Sequence, residues 1–362
     1  MRKYVVLIII IFILSCENKG KVFNGEIIEI SPASEITLPT GTEVVLNDIH
    51  NGYMSVYDSL ILFEDNGNHF LSVYSLNTGD LVCELCTKGR GPNEFLFFHH
   101  LEQFFVDNKN IKLWGYESPI NKIYLLNLTL SIKENRTVID SLFVFDWMYI
   151  NPFLHFFSID SSHFTIQNQN GYLKSNSYDY HFAAYHLFEN TLENEFERFE
   201  LYNRMPYRIT DYNKTAHFYS NDRINPRKNK IAMGMMYLSQ INIIDIPTGK
   251  TKGYRIKKSP DFDDLPEKRI FSYMDICVDD FLIIGLFANP ELNSSIQNFL
   301  SNTIHLFDWD GNFLYQAKLD HIVNQIAFDP VEKNLYGYTE FGEIYKWPLL
   351  QFYSNFHDSC NH

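Results

Sequence analysis

Apolar residues in this chain come in short runs, broken every few positions by Asp, Asn, Gly or Pro. Long runs with the helical period of about 3.6 are scarce, so the pattern predicts strands joined by turns. The 23 Tyr and 31 Phe add to that reading, because aromatic side chains favour strands. One local pattern recurs: an apolar residue, then an Asp, a turn, and a short apolar strand. Val56-Tyr57-Asp58-Ser59-Leu60-Ile61-Leu62 is its first copy. The recurring aspartates are Asp58, Asp107, Asp160, Asp222, Asp279 and Asp329, spaced by 49, 53, 62, 57 and 50 residues, with the copy at Asp222 the weakest.

Each unit continues with a third strand, a tight turn and a fourth strand. Residues 70–85 show this most plainly, with Asn77-Thr78-Gly79-Asp80 at the turn. Pro247-Thr248-Gly249-Lys250 and Asp310-Gly311-Asn312 repeat it. Such turns supply the positive φ that a tight hairpin requires. A repeat of this length, each unit four strands, predicts an all-β chain: a six-bladed β-propeller with four-stranded antiparallel blades. The last unit loses its pattern near Phe352, one strand short. Residues 25–30 or 35–38 have no neighbouring partner, so an N-terminal strand is expected to complete that blade and close the ring. Residues 25–355 are then one domain, and residues 356–362 a C-terminal tail.

The start of the chain reads differently. Arg2 and Lys3 precede an unbroken apolar run from Tyr4 to Leu14, followed by Ser15-Cys16. As a helix that run rises only about 16 Å, too little for a bilayer core of roughly 30 Å. A basic start, a short apolar stretch and a small residue at the cut site describe a secretory signal peptide over residues 1–15. Ile13-Leu14-Ser15-Cys16 resembles a bacterial lipobox, in which the cysteine is lipidated and becomes the mature N-terminus. Residues 16–24 are then the lipidated Cys16 and a polar tether. The expected location is extracytoplasmic, in a bacterial cell envelope, with membrane contact through the lipid alone.

Removal of residues 1–15 leaves 28 basic residues against 44 acidic ones, a net charge of −16. That balance argues against nucleic acid as a partner, since a phosphate backbone demands a basic face. Cys83, Cys86, Cys277 and Cys360 remain. The CxxC spacing of Cys83-Glu84-Leu85-Cys86 falls in a strand-like run, where positions three apart point to opposite faces, and this disfavours redox or metal chemistry there.

The stretch Thr87-Lys88-Gly89-Arg90-Gly91-Pro92-Asn93-Glu94-Phe95 is the one segment that looks like a motif. No helix-period segment follows it, so it lacks the helix N-terminus that an anion-binding glycine loop normally feeds. Placed in the repeat, it joins the first blade to the second, with Phe95 as a wedge between them. Gly89-Arg90-Gly91-Pro92-Asn93-Glu94-Phe95, with residues 105–114 and 121–134, resembles the NHL-type blades of TolB-like propeller lipoproteins of Bacteroides-type bacteria. The resemblance is good across the second blade and loose elsewhere. It implies fold and surface location more than activity, since such propellers include binders, scaffolds, lyases and lactonases.

In such a blade the connections between blades, and the loops between second and third strands, share the face opposite the Asp turns. Ligands are expected there. The binding candidates are Arg90 and Asn93 in the joint, Trp114, Tyr116 and Glu117 at the end of a blade strand, Arg204 and Arg208 in a long connection, and Glu340 in a loop. Arginine there would meet an anion, and Trp114 or Tyr116 would stack on a sugar ring; core packing is the alternative role for both aromatics. No HxH, HExxH, GxSxG or P-loop pattern occurs. The expected function is therefore a ligand-binding or protein-interaction module without catalysis or cofactor, its partner a glycan, a peptide or an envelope protein. The alternative is a lyase- or lactonase-type propeller enzyme with an axial divalent metal such as Ca²⁺, whose ligands would come one per blade with no linear spacing. A structural subunit of an envelope assembly is a third possibility.

Overall fold

The computed structural model describes residues 21–48, 50–117, 120, 122–144, 155–160, 163–168, 184–189, 194–203, 218–264, 271–288 and 300–353. The expected signal peptide, Cys16, Arg204, Arg208, Cys360 and the C-terminal tail lie outside these residues. No helix among the described residues is long and apolar enough to cross a membrane.

The chain is an all-β propeller. Strands β4 (Tyr53–Tyr57), β5 (Leu60–Glu64), β6 (His69–Ser75) and β7 (Leu81–Thr87) form one antiparallel sheet. A second holds β8 (Phe104–Asp107), β9 (Asn110–Glu117), β10 (Lys122–Asn127) and β11 (Ile139–Val144), with helix α1 (Leu128–Glu134) between its last two strands. Asn127 caps that helix, its side chain accepting from the Leu130 N–H, and Asn135 ends it in the left-handed region at φ 49°. The third sheet is β12 (His155–Ser158), β13 (His163–Asn168), β14 (Ala184–Glu189) and β15 (Asn194–Glu200). Next come β16 (Ser220–Ile224), β17 (Lys230–Met235), β18 (Gln240–Asp245) and β19 (Lys250–Ile256), then β20 (Tyr273–Val278), β21 (Leu282–Phe287), β22 (Ser301–Asp308) and β23 (Phe313–Val323). The last antiparallel set is β24 (Gln325–Asp329), β25 (Asn334–Tyr338) and β26 (Ile344–Pro348).

The expected ring of six equal, four-stranded antiparallel blades is not what the chain builds, and the N-terminal segment is the reason. β1 (Glu26–Ile30) lies parallel to β19, and β2 (Glu35–Thr37) lies parallel to β23. Those two sheets are therefore five-stranded and mixed. A third short strand, β3 (Thr42–Val44), pairs antiparallel with β26. The segments expected to complete the last blade, residues 25–30 or 35–38, thus add outer strands to two earlier sheets, and residues 42–44 take that place instead. The physical cause is the edge: the outer strands of these sheets offer unpaired N–H and C=O groups, and a short strand satisfies them.

The core lies between sheets. Phe95 is buried between the first and second sheets, in one cluster with Phe70 and Leu85 on one side and Leu113 and Leu126 on the other. It packs at 4.9 Å from the Tyr124 ring. The joint that leads to it closes on itself: Phe95 N–H donates to Thr87 C=O, Gly89 N–H to Phe95 C=O, and Gly91 N–H to Glu94 Oε2. A Cβ on Gly89 would fall 1.9 Å from that carboxylate, so the Glu94 side chain would have to swing aside to admit one.

Two local readings need correction. Asp222 is not a turn former; it is a buried mid-strand residue of β16, opposite Met233. The turn of that sheet is built by Asn225, whose Oδ1 accepts from Asn229 and Lys230 N–H groups at 2.9 and 3.0 Å. The repeat slipped because a side-chain amide fills the role that a carboxylate plays at Asp279, which accepts from Phe281 and Leu282 N–H groups at 2.8 Å each. Cys83 and Cys86 do not point apart. Both are buried in the same cluster, because Cys86 has φ 57° and breaks the strand alternation. Both are free thiols, as is Cys277.

Candidate axial site

The first strand of each sheet faces the ring centre, where β24 packs on β4, and β20 packs on both β16 and β24. Such strands should be apolar where they touch, yet β16 carries Arg223 at 5% exposure. Its guanidinium spans the axis. Nη2 donates to the Tyr53 hydroxyl and to Glu102 Oε1 at 3.1 Å, and lies 3.5 Å from Asp275 Oδ1. Nη1 donates to the Asp222 carbonyl at 3.0 Å. Tyr53, from β4, donates to Glu102 Oε1 at 2.9 Å. Asp275, from β20, accepts from the N–H groups of Ile276 and Ile326. Four chain segments are thereby tied at one point.

Burial sets the electrostatics of this knot. It pushes Asp275 up to about 7; the Arg223 charge opposes the shift and Glu102 adds to it. Burial likewise carries the Tyr53 hydroxyl well above its ordinary value. Burial works against the charge on Arg223, but Tyr53, Glu102 and Asp275 outweigh it and hold the guanidinium more firmly protonated than usual. His100 stands behind Glu102. Its Nδ1 accepts from the Glu102 N–H at 2.9 Å, and its Nε2 lies 3.3 Å from Ser55 Oγ. Burial lowers it to about 4, so the neutral ring holds its hydrogen on Nε2.

Above this knot, on the face of the first hairpin turns, a cavity of about 350 Å³ opens on the axis. Arg223 and Glu102 form its buried end. Val56, Tyr57, Phe104, Phe105, Val278 and Phe328 supply apolar wall, and Lys228, Asp280, Val331 and Lys333 stand around it. Lys333 is paired with Asp279 Oδ2 at 2.9 Å. Among the described residues, no group of three or more His, Cys, Asp or Glu side chains is placed to hold a metal ion.

The sequence-derived candidates fall in separate places. Trp114 lines the cavity, buried among Phe143, Phe156 and Phe164. Tyr116 is buried at 3% exposure, and Glu117 is fully buried, accepting from Tyr124 OH and from the Leu96 and Phe97 N–H groups. Arg90, Asn93 and Glu340 are exposed, in loops at the end of the sheets opposite the first hairpins. Arg204 and Arg208 lie outside the described residues. Arg223, Glu102, Lys228 and Asp275 were missed. The available signal was Asp222-Arg223, two adjacent charges in the short strand Ser220–Ile224 that leads to a turn.

No family model matches the chain, and no curated protein does. Among solved structures, the chain is similar to a protein described as a putative exported protein from Bacteroides fragilis NCTC 9343. The identity is 11%, over 89% of this chain and 98% of that one, with a TM-score of 0.55. It also matches a member of the duf4221 family from Bacteroides vulgatus ATCC 8482, at 9% identity over 86% of this chain and 94% of that one, with a TM-score of 0.47. At such identity the first likeness speaks for the fold alone.

Proposed function

We propose that this protein is an extracytoplasmic binding propeller that takes a small ligand in its axial cavity, without chemistry of its own. The observation that carries this reading is the cavity itself: concave, walled by apolar side chains, and ending on the Arg223–Glu102–Asp275–Tyr53 knot. A largely apolar cleft with a few fixed polar groups is the usual form of a small-molecule site. At about 350 Å³ it lies near the small end of the usual range of roughly 300–1,000 Å³. It therefore suits a single sugar, a side chain or another small molecule better than an extended glycan or peptide. Anchoring through a lipid on Cys16 and the NHL-like character of the second blade belong to the same proposal, as does the exclusion of nucleic acid. The bacterial similarity of fold supports an exported protein, and the Ile13-Leu14-Ser15-Cys16 end supports the anchor.

A small-molecule screen by thermal shift tests the reading on the full chain. A ligand that binds only the folded state raises Tm. Val331 stands at the cavity and is 51% exposed, so Val331→Trp should obstruct the cavity without burying a misfit. The expected result is a ligand whose Tm shift disappears in Val331→Trp. Hits whose shifts all survive in that variant would move the site elsewhere. The anchor is tested separately: Cys16→Ser should lose lipid labelling and membrane association.

A further inference from the structure

We infer that the axial cavity takes a small organic carboxylate on an apolar body of about one ring, held by the Lys228 ammonium. This rests on the binding reading above and names its ligand class.

Most charges around the cavity are already matched. Glu102 is matched by Arg223 at 3.1 Å, and Asp279 by Lys333 at 2.9 Å and the Tyr353 hydroxyl at 2.7 Å. Asp280 lies 3.5 Å from Arg227 Nε. Lys228 has no such partner: its Nζ donates to Ser158 Oγ at 3.4 Å, and among the described residues no carboxylate lies within 4 Å of it. The half-buried ammonium sits 5.2 Å from the centre of the Phe105 ring. Burial lowers its pKa, and the Asp160 charge only partly opposes that shift. An ammonium in this position gains from an anion beside it.

The other cations of the cavity are already matched, Arg223 by Glu102 at 3.1 Å and Lys333 by Asp279 at 2.9 Å, so Lys228 is the charge left for a ligand. A carboxylate offers oxygens to that ammonium, whereas an ammonium ligand offers none. The apolar wall from Val56, Phe104, Phe105 and Phe328 has no polar groups to satisfy a polyhydroxylated body, so the part behind the carboxylate should be apolar.

Isothermal titration calorimetry on the purified full chain tests this with three probes of similar size: phenylacetate, benzyl alcohol and phenethylamine. Phenylacetate is expected to bind most tightly. Lys228→Met should weaken it by about tenfold or more, the scale of a hydrogen bond to a charged group, and Lys228→Arg should largely restore it. Lys228→Met on the half-exposed lysine is the deciding variant, with its fold checked by circular dichroism. Tighter binding of phenethylamine or benzyl alcohol overturns the carboxylate inference and leaves the cavity as a binding site. So does phenylacetate affinity unchanged in Lys228→Met. Silence from all three probes overturns the ligand class, while the binding reading falls separately, on thermal-shift hits that survive Val331→Trp.

Discussion

Arg223 and Glu102 meet at 3.1 Å on the propeller axis although 121 residues separate them in the chain. The contact joins the approach to β8 with the end of β16, and Tyr53 and Asp275 bring two more sheets to the same guanidinium. A buried ion pair of this kind is poor evidence of net stabilisation, because both charges lose hydration. Breaking it from one side is another matter. Arg223→Met should destabilise the fold by about 3–5 kcal/mol, because Glu102 and Asp275 are left buried together. Adding Glu102→Gln to Arg223→Met should recover part of that loss. Urea unfolding of the single and double variants reads the coupling, and strictly additive effects would deny it.

Ring closure rests on a glycine. A Cβ on Gly41 would lie 2.8 Å from the Trp347 indole, and Gly41 N–H donates to the same Asp320 carboxylate that accepts from Trp347 Nε1. The neighbour is a fully buried tryptophan that has no room to retreat. Gly41→Val should therefore cost about 1–3 kcal/mol, the usual range for an overpacked site. A urea midpoint equal to wild type would mean that β3 is not held against β26.

The joint between the first two sheets separates structural from surface roles. Phe95→Ala should cost about 3–5 kcal/mol, as for other buried aromatics. Arg90→Ala, at an exposed position, should change stability by no more than about 0.5 kcal/mol. The same unfolding assay compares them. A large effect at Arg90 would show that the joint is held by charge and not by the Phe95 wedge.

Acid dependence follows from Asp275. Its carboxyl stands at about 7 in the folded chain and near 4 when unfolded. Between those values the folded chain holds a proton that the unfolded chain has released. The contribution of Asp275 to stability is thus fully present below about pH 4 and is lost as pH rises towards 7. Asp275→Asn removes the titration. The unfolding free energy of wild type minus that of the variant should fall between pH 4 and pH 7 and level off above; a flat difference would place the Asp275 titration in its ordinary range.

Much of the architecture was legible from side chains that act locally. Asp279 and Asp329 cap turns next to themselves, Gly79 and Gly249 take positive φ in tight turns, and Phe95 follows directly from the joint that it wedges. What was not legible depends on partners far away in the chain. Residues 26–30 read as a strand, but nothing in them says that they run parallel to residues 252–256 and not along the last blade. Trp114 was legible as a candidate because aromatics at strand ends either stack on ligands or pack, and it lines the cavity from within the core. Arg223 was hidden for a physical reason: its partners, Tyr53, Glu102 and Asp275, lie on three other segments, and no linear spacing relates them. The expected ligand face was the one opposite the Asp turns, where the connections between blades lie. The described cavity opens instead among the first hairpin turns, where Lys228 and Lys333 stand.

The central claim, that a ligand enters this cavity beside the Trp114 side chain, has a direct readout in the indole N–H resonances. The chain has four tryptophans, so the spectrum of ¹⁵N-tryptophan-labelled protein is simple, and Trp114→Phe assigns the signal of interest. Titration with phenylacetate should shift the Trp114 indole N–H resonance, as the ring of the probe comes against the Trp114 side chain, and leave the fully buried Trp347 unmoved. A bound ligand that leaves the Trp114 resonance in place would contradict the account.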